Sequence, residues 1–206
     1  MNLTDLIGAE TLANAEAQEI RTGAGVWESG VYDVVFTEFF LFKSKHGAGM
    51  LKCTIQDQDE NTFTTYVNVK KKDGTDNDIG ARFVKGALDA VGVDMNSATI
   101  KQIVGDYYAE KNQDVNSVDS VLNKPLKACV RQVHTEGAEY ENSNEIEAFL
   151  DKQGKNGKGE DQLEAFAAKI EKQPILERKA KTPAGGDGAA NGGAPAPDAQ
   201  TKKSSW

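Results

Sequence analysis

The stretch GVYDVVFTEFFLFKSKHGAGMLKCTIQDQDENTFTTYVNVKKK, residues 30–72, decides the fold. Within residues 50–57, Leu51, Cys53 and Ile55 alternate with Lys52, Thr54 and Gln56, the period of a half-buried strand. The pattern repeats downstream, with Phe63, Thr65, Val67 and Val69 on one side and Thr64, Tyr66, Asn68 and Lys70 on the other. Paired as a hairpin across residues 57–61, the two runs turn one face to the core and leave Lys52, Tyr66 and Lys70 on the opposite face. Upstream, the alternation Tyr32, Val34, Phe36 stumbles into Phe39-Phe40-Leu41-Phe42, which predicts one strand with a bulge near Thr37-Glu38. Such a bend is what a small curved barrel requires. Gly47 and Gly49 in the following turn permit tight backbone geometry.

Cations and an aromatic ring on one sheet face suit a strand of nucleic acid, whose phosphates attract lysines and whose bases stack on rings. The same pattern is also that of a solvated outer sheet face. Charge distribution bears on the choice. The 206 residues carry a net charge of −8, which by itself argues against phosphate binding. Residues 1–42 hold one base against seven acids, whereas residues 43–85 hold eight bases against six acids. The positive window therefore coincides with the strand face. An acidic body with a locally basic groove is expected to bind phosphate modestly and with strong salt sensitivity.

Length allows one domain with a useful core plus appendages. No apolar run approaches the ~20 residues of a membrane helix. The amino terminus shows no basic region before an apolar stretch, so a cytoplasmic location is expected. Cys53 and Cys129 form no C-x-x-C pair. With His46 and His134 they are spaced His-x6-Cys and Cys-x4-His, outside the usual zinc spacings, and buried thiols are the expectation. No cofactor is expected.

Along the chain, residues 4–21 read as one or two short helices ending at Gly23 and Gly25. Asp73-Gly74-Thr75-Asp76-Asn77-Asp78 departs from a calcium loop, with Val84 at the twelfth position, and reads as a turn capping a helix over residues 79–91. A second short helix is predicted over residues 97–104. Strand character returns at residues 126–133; Ile146, Phe149 and Leu150 fit either strand or helix, and residues 160–170 fit an amphipathic helix. Residues 183–200 are nearly all Ala, Gly, Pro, Asp and Asn, a composition expected to be disordered, and the tail closes on Trp206, a candidate hook for a partner.

No catalytic constellation emerges. Gly154-Lys155-Asn156-Gly157-Lys158-Gly159 lacks the phosphate-loop spacing and reads as a flexible loop. Asp57, Asp59 and Glu60 motivate a metal-dependent nuclease, yet they fall where a hairpin turn is expected, and turns attract acids.

Taken together, Gly30-Val31-Tyr32-Asp33-Val34-Val35-Phe36, Lys43-Ser44-Lys45 with its glycine turn, Met50-Leu51-Lys52, the helix around residues 83–91, Asn123-Lys124-Pro125-Leu126-Lys127-Ala128-Cys129-Val130 and Tyr140-Glu141-Asn142 resemble phage-encoded single-stranded-DNA-binding proteins of the OB-fold type, over roughly residues 28–151. The resemblance implies a helical insertion against a small barrel, with DNA crossing the exposed sheet. Many such proteins end in an acidic tail with a terminal aromatic. Here residues 174–206 hold five bases and three acids, so the aromatic matches and the acidity does not.

The expected architecture is thus α+β, mainly β: a helical segment at residues 1–29, an OB-like barrel at 30–173 with a helical insertion at about 79–122, and a flexible tail at 174–206. The expected function is non-catalytic coating of single-stranded DNA in phage replication or recombination, with replication or recombination proteins meeting the tail and a homo-oligomer as one assembly. Phe40, Phe42 and Tyr66 are the stacking candidates, although Phe36, Phe63 and Phe83 read as core. Lys43, Lys45, Lys52, Lys70, Lys71 and Lys72 are the phosphate contacts, with Arg82, Lys85 and Arg131 as further candidates. The alternatives are a protein-interaction adaptor without DNA binding, and the metal-dependent nuclease.

Overall fold

The computed structural model describes residues 3, 7–8, 20–22, 26–103, 115–138 and 141–179. Of the helices expected within residues 4–21, residues 20–21 instead form part of a strand, because residues 145–146 supply its ladder, and the rest falls mostly outside the described residues, as do the 183–200 segment and Trp206. The described chain is mainly β. Its strands are β1 Ile20–Thr22, β2 Gly30–Lys43, β3 Gly49–Asp57, β4 Thr62–Lys70, β5 Ile100–Ile103, β6 Val115–Val118, β7 Pro125–Glu136, β8 Asn142–Leu150 and β9 Ile175–Lys179. Two helices, α1 Asp78–Ala90 and α2 Leu163–Lys172, complete it.

All strands belong to one sheet in the order β1-β8-β7-β2-β3-β4, with β6 and then β5 branching from β2, and β9 added to β7. The β7–β9 ladder is parallel and the other strand ladders antiparallel. β1 lies beside β4, but among the described residues no ladder joins them, so the sheet does not close.

The 14-residue β2 organises the rest. Its pairing with β3 shifts between Phe36 and Glu38, the bulge that the broken alternation predicts. The extra residue sends Phe36, Phe39 and Leu41 inward, opposite Ile55, Cys53 and Leu51, and Glu38, Phe40 and Phe42 outward. The inner face also holds Phe63, Val67, Leu126, Val130 and Ile146. Helix α1 fills it: Phe83 meets Phe149 edge-on at 5.0 Å, Phe149 meets Phe36 at 5.1 Å, and Phe36 meets Phe39 at 5.2 Å. Asn77 caps α1 by accepting from the Ile79 amide at 3.1 Å. Gly80 packs so tightly against the Asn68–Val69 backbone of β4 that any side chain there would collide.

Helix α2 covers the outer side of the other half of the sheet, where Phe166 packs with Cys129 and Leu150. On that side lies a buried charge cluster. Arg131 and Glu145 are each 1 % exposed. Arg131 stands 3.7 Å from Glu147, which Lys169 of α2 reaches at 2.6 Å, and Arg178 of β9 forks onto Glu145. Buried Asn144 fixes the chain entering β2, accepting from the Trp27 amide and donating to the Trp27 carbonyl, both at 2.7 Å.

Five turns repeat one design. In each, residue i pairs its amide with the carbonyl of i+4, the amide of i+3 donates back to i, and i+3 is left-handed; they begin at Ser44, Asp57, Lys71, Asp151 and Asn156. Four use glycine at the left-handed position, and the fifth uses Glu60 at φ 61°. The side chains of Ser44, Asp57, Asp151 and Asn156 also accept from the amide at i+4. The 154–159 segment is therefore two ordered turns rather than the flexible loop expected from its glycines.

Three further expectations change. Residues 100–103 form strand β5 where a helix over 97–104 was predicted, because β6 supplies its ladder. Among the described residues of the expected helical insertion at 79–122, α1 and the 3-10 turn Asp119–Val121 are helical, and strands β5 and β6 stand between them. Residues 175–179 belong to the sheet instead of the tail, because β9 fills the edge of β7 that β2 vacates at Gly30.

Candidate nucleic-acid interface

The bulge and the antiparallel registers align outward residues of β2, β3 and β4 in rows. One row is Glu38, Thr54 and Thr64; the next is Phe40, Lys52 and Tyr66; the third is Phe42, Met50 and Asn68. Directly opposed side chains lie about 4.5–5.5 Å apart, so each row is a line of contacts.

Phe42 and Tyr66, both half-buried, meet edge-on at 6.4 Å. Phe40 is 2 % exposed, with Phe42 at 6.0 Å and the Lys52 ammonium 5.5 Å above its ring. It is a support beneath Lys52 rather than an open stacking plane, a placement that local alternation does not reveal. Phe42 and Tyr66 are the two stacking candidates that are only partly buried. Phe36, Phe63 and Phe83 are in the core, as their apolar neighbours imply.

Lys52 is already engaged. Its ammonium pairs with Glu38 at 2.6 Å, and the same carboxylate oxygen accepts from Thr54 Oγ1 at 2.5 Å. Thr54 in turn contacts Thr64 Oγ1 at 3.0 Å. The centre of the face is thus near neutral, a line of hydroxyls and one internal ion pair beside aromatic edges.

Positive charge gathers at one end. Lys43 pairs with Gly49, and Gly49 with Lys70, so the end of β2, the start of β3 and the end of β4 coincide. Lys45 sits in the β2–β3 turn, and Lys71 and Lys72 follow β4; these three and Lys43 are exposed. Two carboxylates stand near them. Asp76 is 3.7 Å from Lys70, and Asp73, bonded by the Thr75 hydroxyl and amide, is held below the usual carboxylate range.

The remaining candidates lie elsewhere. Arg82 and Lys85 are on α1, which packs on the inner side of the sheet, and Lys85 pairs with Asp89 at 2.6 Å. Arg131 is enclosed in the charge cluster under α2 and β9 and does not present itself to an outside ligand, because outward positions of β7 are covered by elements that local sequence does not announce. Trp206 lies outside the described residues.

Of the acids that motivate a nuclease, Asp57 is occupied by the β3–β4 turn, accepting from the amides of Asp59 and Asn61 and from the Asn61 side chain at 2.8–3.0 Å, while Asp59 and Glu60 are exposed in the same turn. Among the described residues no group of three or more His, Cys, Asp or Glu is placed to hold a metal. Cys53 lies in the inner core and Cys129 under α2, so the two thiols belong to separate clusters. No helix among the described residues is long and apolar enough to cross a membrane. No protein-family model matches the chain, and no curated protein matches its sequence.

Proposed function

We propose that the protein binds single-stranded DNA across the outer face of β2, β3 and β4 as a non-catalytic coating protein, in keeping with the phage replication and recombination proteins that residues 28–151 resemble. One observation carries the reading: the half-buried Phe42–Tyr66 pair adjoins a sheet end bearing Lys43, Lys45, Lys70, Lys71 and Lys72. Bases take the rings and phosphates take the lysines, the combination that sequence-tolerant single-strand binding requires.

The strand order supports an OB-like ancestry for this face. Apart from the inserted β5 and β6, strands β2, β3 and β4, helix α1, and strands β7 and β8 succeed one another as in a five-stranded Greek-key barrel, with β1 standing between β8 and β4 where such a barrel would draw together. In OB folds the second and third strands and the loop between the first two carry oligonucleotides. Their counterparts here are β3, β4 and the turn holding Lys45.

Titration of a fluorescent single-stranded oligonucleotide, with duplex as competitor and a chelator present, tests the proposal. The expected result is single-strand preference and log affinity falling linearly with log salt, about 0.7 per neutralised phosphate. Tyr66→Ala is expected to weaken binding by about 1–3 kcal/mol with the fold intact. Absence of binding at low salt would reject the reading and favour a protein-interaction role for the same face.

A further inference from the structure

The registers extend the Tyr66 row beyond β2. Tyr66 opposes Lys52, Lys52 opposes Phe40, Phe40 opposes Ser117 of β6, and Ser117 opposes Lys101 of β5. Directly paired residues share a face, so one row crosses five strands. At about 4.8 Å per strand the row is about 19 Å long. Charge along it is not uniform. In the middle, Glu38 neutralises Lys52, and Ser117 Oγ holds the Asp119 carboxylate at 2.5 Å. At the end lies Lys101, exposed on β5.

We infer that β5 and β6 form a second arm of the nucleic-acid interface, in which Lys101 takes a phosphate at the far end of a path running across the strands from the lysines beside β4. This rests on the proposed single-strand binding and adds a direction and a length to it. With Lys52 cancelled by Glu38 and the Asp119 carboxylate adding negative charge beside Ser117, the middle repels phosphate, so phosphates settle at the two ends while bases lie over Tyr66, Phe42 and the hydroxyl row. A sheet that twists by roughly 20–25° per strand gives that path a curved floor, which a flexible single strand follows and a duplex does not.

The test compares fluorescein-labelled oligothymidylates of about 4 and about 16 nucleotides, the range of sites seen on one OB-type face, on wild type, Lys101→Glu and Lys179→Glu. Lys179 is exposed on β9, outside the row, and carries the same charge change. The expected result is about tenfold weaker binding of the longer oligomer by Lys101→Glu, a shallower salt slope, little change on the short oligomer, and near-wild-type binding by Lys179→Glu. Equal affinity of Lys101→Glu and wild type for the longer oligomer overturns the second arm while leaving the β2–β4 face standing. Equal losses in Lys101→Glu and Lys179→Glu also overturn it, since they report net charge and not a path. Failure of wild type to bind either oligomer removes the underlying reading as well, and is recognised by the wild-type titration alone.

Discussion

Arg178 on β9 closes both terminal nitrogens of its guanidinium on the carboxylate of Glu145, a β8 side chain that is 1 % exposed. The neighbouring buried carboxylate, Glu147, is met by Lys169 of α2. The segment from α2 to β9 thus delivers two cations to carboxylates that the fold has removed from water, in addition to the apolar packing of Phe166 and the β7–β9 ladder. A forked arginine contact is geometrically specific, and a buried acid deprived of its partner is costly.

Arg178→Ala is accordingly expected to destabilise the protein by about 3–5 kcal/mol, the cost of leaving a buried charge unpaired. Arg178→Ala combined with Glu145→Gln should recover part of the loss. Urea unfolding of the four proteins of the cycle measures this, and a double variant no more stable than Arg178→Ala would mean that the pair is not the source of the effect.

Glu38→Gln should tighten single-strand binding. The amide retains an acceptor for Thr54 but no longer neutralises Lys52, so a phosphate gains a cation at the centre of the face. The expectation is a several-fold gain at low salt and a salt slope steeper by about 0.7, one further contact on single-stranded nucleic acid. Weaker binding would mean that Glu38 orders the face more than it opposes the ligand.

Glu60 occupies the left-handed position that glycine fills in the four sister turns. Glu60→Gly relieves a conformation costing roughly 1–2 kcal/mol for residues with a side chain, offset by the greater freedom glycine has when unfolded, for a net gain of about 0.5–1 kcal/mol. A rise in the urea midpoint with unchanged oligonucleotide affinity is the anticipated outcome, since this turn lies at the opposite end of β3 and β4 from the lysines.

Burial, with the Glu147 charge assisting, pushes the Cys129 thiol up to about 12, and burial raises Cys53 well above its ordinary value. At pH 8 both should resist disulfide reagents until the protein opens. Arg178→Ala should expose Cys129, which lies beneath α2, before Cys53, which lies in the inner core. Mass spectrometry of singly labelled protein reads the order, and labelling of Cys53 first would contradict the packing. The sign of the pH dependence follows. Unfolded thiols titrate near 8.5 and the folded ones higher, so above about pH 8.5 the unfolded chain binds fewer protons and stability falls as pH rises. Below that range these groups contribute no slope.

Strands β3, β4 and the bulge in β2 were legible because one face is buried and a period of two leaves no other register in which Phe36, Phe39 and Leu41 all point inward. The capping turn at residues 73–78 was legible because capping is local chemistry, and the structure assigns the cap itself to Asn77. β5 was misread since Ile100 and Ile103 are three apart, which fits a helix turn as well as a four-residue strand; only β6, pairing from residues 115–118, decides between them. β9 alternates over five residues beside a tail of low complexity, and its partner β7 lies some forty residues earlier. Arg131 and Phe40 fail for a shared reason: alternation says which face a side chain takes, while what covers that face depends on elements distant in sequence. The lysine end was visible as a basic window, yet the pairing of Glu38 with Lys52 emerged only from the bulge register.

Ser29, at the threshold of β2, donates its hydroxyl to the carbonyl of Pro174 just before β9 and accepts from the amide of Gln132. Positions 145 residues apart therefore meet at one point, flanked by strands of three and five residues. On the carboxyl-terminal side, tension along the chain reaches β9 before it reaches the Ser29 contact. Load from that side is therefore met by the five-residue β7–β9 ladder and the Ser29–Pro174 bond ahead of the β2–β4 face.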